Sequence, residues 1–131
     1  MRRFRFGLEK VLELRQYREQ EAKNELGQAI GALTAIENAI KHNAVIRHHA
    51  VQERFTGINA GQSDASSMLA WDSYILRLEQ ETERLMEEAA KAELIVEEKR
   101  NQYLEASREL KVMEKLKEKR AQEHRKEMFA A

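Results

Sequence analysis

Two apolar stripes, each stepping alternately by three and four residues, constrain this chain more than any other feature. The first runs from Leu8 through Leu12, Ala22, Leu26, Ala29, Leu33, Ile36 and Ile40, and Arg15 and Glu19 also fall on it. The second carries Ile75, Leu78, Thr82, Leu85, Ala89, Ala92, Val96, Lys99, Tyr103, Ala106, Leu110 and Met113. That alternation is a heptad seam, a row of side chains that a helix buries against another helix. Beyond Ile40 the first stripe is expected to drift, carried less regularly by Ala44, Val51 and Phe55. Between the stripes, residues 56–63 (Thr-Gly-Ile-Asn-Ala-Gly-Gln-Ser) break the pattern with glycines and small polar side chains. Ser63 or Asp64 then offers an N-cap for a second helix. The expected architecture is all-α: helix one over 8–55, a turn over 56–65 and helix two over 66–127, in one domain spanning 1–131.

The stripes dock by arithmetic. In an antiparallel hairpin, facing positions have a nearly constant sum of residue numbers. Leu12 with Leu110, Arg15 with Ala106, Glu19 with Tyr103, Leu26 with Val96, Ala29 with Ala92, Leu33 with Ala89 and Ile36 with Leu85 all sum to 121 or 122. Half that sum falls on Gly61, inside the turn read independently from composition. The two seams satisfy each other within one chain, so an antiparallel coiled-coil hairpin and a monomer are expected.

Composition agrees. Proline and cysteine are absent, charged residues make up 35% and aromatics only 6%, which suits long helices and a thin seam rather than a globular core. Without cysteine there is no disulfide, zinc–thiolate site or thiol nucleophile. No apolar run approaches the roughly 20 residues of a membrane span, and the basic start lacks a signal-peptide core. A cytoplasmic location is expected.

Net charge is zero but unevenly spread. Residues 1–18 carry six basic side chains against Glu9 and Glu13, whereas residues 79–98 carry eight glutamates against Arg84 and Lys91. The basic ends are either a solvated surface or a tip that meets an acidic partner. The acidic middle argues against nucleic acid. On the seam, Arg15, Glu19 and Lys99 are expected to form a partly buried ionic layer that sets register, the rival being a loose segment.

Catalytic chemistry finds no support. The five glycines never form a phosphate-binding turn, and Gly27 and Gly31 read as close helix approach or local flexibility. His42 and His49 share a helix face with Glu53 close by, yet an open two-helix surface supplies no second shell for a metal. No cofactor, metal or catalytic residue is expected, because nothing there excludes water. Exposed aromatics are the better lead. Trp71 either packs over the turn against Phe55 or waits for a partner.

In order along the chain, the motifs resemble one family. Phe4-x-Phe6-x-Leu8-x-x-Val11-Leu12-x-Leu14-Arg15 and Glu21-Ala22 resemble the N-terminal signature of the flagellar FliJ family. Trp71-x-x-Tyr74-x-x-x-Leu78-Glu79 is similar to the start of that family's second helix. Tyr103-x-x-Ala106 followed by Glu114-Lys115-Leu116 completes the match over essentially the whole chain.

The resemblance implies a fold similar to the coiled coil of the rotary ATPase gamma subunit. It implies a non-catalytic part of the flagellar type III export apparatus at the cytoplasmic face of the inner membrane. The partners implied are the hexameric export ATPase, the export-gate protein FlhA and export chaperones, with membrane association only through them. By analogy, Phe6, Leu8, Val11, Leu12 and Arg15 would face the ATPase. Trp71, Tyr74, Leu78 and Leu85 would face the gate, with Glu81 standing where the family has a small residue. A passive coiled-coil tether, an injectisome stalk protein and an export chaperone remain as alternatives.

Overall fold

The computed structural model describes residues 3–61 and 64–130. Two long helices, α1 (Glu9–Asn59) and α2 (Ala65–Ala130), pack against each other as a helical hairpin, and no strand occurs among the described residues.

The helix ends follow from local chemistry. Glu9 opens α1, where a carboxylate complements the helix dipole, and its N–H donates to the Phe6 carbonyl at 3.1 Å. Helix α1 runs four residues beyond the expected end at 55, through Gly57. A glycine inside a helix costs only about 1 kcal/mol relative to alanine, too little to end a helix held by its neighbours. Gly61 ends the run: its φ of 68° is a left-handed conformation that side chains disfavour, and its N–H donates to the Ile58 carbonyl at 3.1 Å. Asp64 caps α2, its Oδ1 accepting from the Ser67 N–H at 2.7 Å. That bond holds the Asp64 carboxyl below its ordinary value of 3.8. Ser63, the other candidate cap, lies outside the described residues.

Contacts group the chain into two compact units, one of residues up to Ala29 with those from Val96, the other of Ile30–Ile95. In the first, Phe6, Leu12 and Val96 are buried. Antiparallel pairing shows in its ion pairs: Lys117 with Glu9 at 2.9 Å, Arg15 with Glu109, and Lys99 with Glu25 at 3.6 Å. Tyr103 meets Glu19, as the register arithmetic requires, and the hydrogen bond, then the Glu19 charge and burial, push the Tyr103 hydroxyl above its ordinary 10.0. The expected polar layer is therefore resolved differently. Arg15, Glu19 and Lys99 do not join one another; Arg15 and Lys99 reach past the seam to Glu109 and Glu25, and Glu19 meets the seam residue Tyr103 opposite it.

In the second unit Ala50, Leu85, Ala89 and Ala92 are buried. Arg47 with Glu79 at 2.8 Å and Arg54 with Asp72 at 2.7 Å pair α1 antiparallel to α2. One expectation is corrected here. Ala44, Val51 and Phe55 do not carry the seam; all three are exposed, and the inward row is Asn43, Ile46, Ala50, Arg54 and Gly57. The inward row loses strict alternation, with Ile46 inward and Arg47 exposed, but keeps steps of three and four. It continues through polar and small residues, and Arg54, whose Nε is buried, is accommodated by its ion pair with Asp72.

Candidate protein-binding surfaces

In the first unit, the segment before α1 lies along the late part of α2. The Phe4 and His124 rings are 5.6 Å apart, and the Arg120 guanidinium sits 5.8 Å over the Phe6 ring. Arg3, Phe4, Arg5, Phe6, Glu9 and Lys117 line a shallow groove there. Of the five residues expected to face the ATPase, Phe6 and Leu12 are buried, Leu8 is half-buried, and Arg15 is half-buried in its pair with Glu109. Val11 is exposed, together with Leu14, quoted in the family signature without a binding role, and Tyr17, which the sequence reading did not single out. Their spacing of three, in phase with Val11, was the available signal. Phe6 and Leu12 thus hold the surface that Val11, Leu14 and Tyr17 present. Phe129, 87% exposed beside Arg125 and Lys126, was also missed, because a lone aromatic in a charged tail carries no periodicity.

In the second unit, Trp71 and Tyr74 meet edge to face with ring centroids 6.2 Å apart, and Arg77 lies 5.8 Å over the Tyr74 ring. Both aromatics line a groove with Ile46, His49, Ala50 and Glu53 of α1. Trp71 shares that groove with Ala50, while Phe55, the other packing partner considered for it, stands exposed in another row. Trp71 and Leu78 are half-buried and Leu85 is buried, so Tyr74 is the exposed member of this set. Glu81 is bound to Arg84, whose hydrogen bond holds its carboxyl below the ordinary 4.5. Arg84, held also by Glu88, is raised in turn.

The groups that chemistry would need are dispersed. His42 and His48 are exposed on α1, and among the described residues no three His, Cys, Asp or Glu stand close enough to hold a metal ion. Among the described residues, no helix is long and apolar enough to cross a membrane. Exposed aromatic and aliphatic side chains beside paired charges are instead the makings of protein contacts.

Fold and surface together define a two-helix coiled coil that presents exposed apolar and aromatic side chains. The particular family follows from comparison: the family model described as Flagellar FliJ protein matches residues 4–130, and the chain belongs to the FliJ family, that of a flagellar export-apparatus component. Comparisons with curated proteins and with solved structures gave no match.

Proposed function

We propose that this protein is the non-catalytic central stalk of the flagellar export apparatus, which binds the hexameric export ATPase, links it to the export gate FlhA and escorts export chaperones. The family match over residues 4–130 carries the reading. On it, the chain acts as one domain in the cytoplasm and reaches the inner membrane only through its partners.

The two surfaces divide the work. The end that carries Phe6, Leu8, Val11, Leu12 and Arg15 faces the ATPase, with Val11 making contact and the buried members holding it in place. Arg3, Arg5 and Arg18 there chiefly set encounter rate and salt dependence, while apolar contacts set residence time. Trp71 and Tyr74 face the gate, Leu78 borders them, and Leu85 supports them from the seam.

Two readouts test this: ATP hydrolysis by the purified export ATPase, and capture by the cytosolic segment of the gate protein. Val11→Ser with Leu14→Ser, and separately Arg15→Glu, should reduce stimulation of ATP hydrolysis and leave gate capture intact. Tyr74→Ala with Leu78→Ala should do the reverse. Loss of both activities in every variant, at native helicity, would replace this division with a single shared surface.

A further inference from the structure

The stripe of α1 that sequence periodicity assigned to the seam beyond Ile40 is a second row, open to solvent. Ala44, Val51, Phe55 and Ile58 are exposed, Phe55 at 63%. With His48 the row runs 44, 48, 51, 55, 58, stepping by four and three, the spacing with which a helix buries a face against another helix. On α2, Leu69 and Leu76 are exposed at 66% and 54%.

The ion pair of Arg54 with Asp72 puts these two rows on one side of the unit. Nε of Arg54 is 2.7 Å from Oδ1 and Nη2 is 3.4 Å from Oδ2 of Asp72. Val51 and Ile58 stand three residues before and four after Arg54; Leu69 and Leu76 stand three before and four after Asp72. Residues at those spacings share a helix face. Four apolar side chains, with Phe55 beside them, therefore surround one inter-helix ion pair. Single exposed leucines are ordinary, but five large apolar residues on one side of two paired helices form a patch. It is not the groove of Trp71 and Tyr74. Tyr74 is two residues on from Asp72, about 200° round the helix, on the opposite flank.

We propose that this face binds one amphipathic α-helix of a partner protein, lying between α1 and α2 with apolar residues at i, i+3, i+4 and i+7 and with lysine or arginine along its α2 edge. The three-and-four spacing selects a helix as the occupant. Charge selects the edge. Glu83 lies one heptad beyond Leu76 and Glu87 one turn further, and neither is in an ion pair among the described residues. Glu79, by contrast, is held by Arg47, and Glu81 and Glu88 by Arg84. The face stands apart from the ATPase and gate surfaces and does not depend on their assignment.

The test uses the full chain and a labelled synthetic helical peptide with leucines at those spacings and lysines along one edge, followed by fluorescence anisotropy. A second peptide carries glutamates on that edge. The lysine peptide should bind saturably. Phe55→Ser with Leu76→Ser should weaken it about tenfold or more, since both anchors are removed. Glu83→Lys with Glu87→Lys should abolish the preference for the lysine edge, and Trp71→Ala with Tyr74→Ala, whatever it does to gate capture, should leave the affinity for the lysine peptide as it is in the parent chain. Circular dichroism confirms that each variant is folded. No saturable binding, equal binding by the Phe55/Leu76 variant, or loss only in the Trp71/Tyr74 variant overturns the proposal. So does concentration-dependent dimerisation that the Phe55/Leu76 variant abolishes, since the occupant would then be a second copy of the chain.

Discussion

Leu85 separates two ways in which a residue can matter to a binding surface. It belongs to the set that family resemblance assigns to gate contact, yet it is only 7% exposed, between Ala89 and Thr82 on the seam. Truncation to alanine removes three carbons from an almost fully buried side chain, a change that costs 2–5 kcal/mol in well-enclosed cores. A two-helix seam is open at its sides and partly collapses onto the gap, so the lower end applies, about 2 kcal/mol. Unfolding entropy scales with length at about 2.1 cal/mol/K per residue, which for a chain of this size converts 2 kcal/mol into a drop in Tm of roughly 7 °C. Thermal unfolding followed by circular dichroism reads this directly. Gate capture measured well below the lowered Tm should then stay close to that of the parent chain. Tyr74→Ala, at an exposed position, should show the opposite pattern, with Tm nearly unchanged and capture lost. A Leu85→Ala variant that melts with the parent but fails to bind the gate would refute the reasoning, because Leu85 would then be a contact rather than a support.

Gly31 lies inside α1 with no side-chain or foreign backbone atom within 4 Å of an added Cβ, so of the two readings of this glycine, close helix approach or local flexibility, the first is absent. Gly31→Ala should stabilise by about 0.5–1 kcal/mol, whereas Gly61→Ala, strained by its φ of 68°, should destabilise by about 1 kcal/mol; denaturant midpoints compare the two. Tyr103 has a hydroxyl raised above 10.0 by Glu19, so its contribution is present below the unfolded-state value and disappears as pH rises through the folded one. Alkaline absorbance titration should show one of the three tyrosines ionising late, and Tyr103→Phe should remove that phase. Asp64 behaves with the opposite sign: its folded value is depressed below 3.8, so the cap stabilises above that pH and is lost as pH falls through the folded value. Asp64→Ala should lower Tm at neutral pH and flatten its decline in acid, with Asp64→Asn retaining most of the cap.

Much of the fold is legible in the sequence because its causes are local or repetitive. Proline is absent, helix-forming residues run without interruption, and a heptad repeat states its partner and register by counting. Glu19 meets Tyr103 where the arithmetic puts it, Gly61 ends α1 near the centre of symmetry, and Asp64 caps α2 with its own side chain. The family signature needed no structure either, being a set of residue types in order.

What only the tertiary structure decided is which of two neighbouring rows faces inward beyond Ile40. Ala50 and Val51 differ by one residue, about 100° of rotation, and apolar counting favours the row of Val51 and Phe55 over one that holds Asn43 and Arg54. The partner helix settles it, because α2 continues the phase set by the long regular stretch and offers Glu79 and Asp72 to the arginines. The same holds for the site. Sequence marks Phe6, Leu12 and Leu85 as apolar and placed near binding motifs, but burial is a property of what lies opposite. Only the packed hairpin shows that these three are buried while Val11, Tyr74 and Phe55 are exposed.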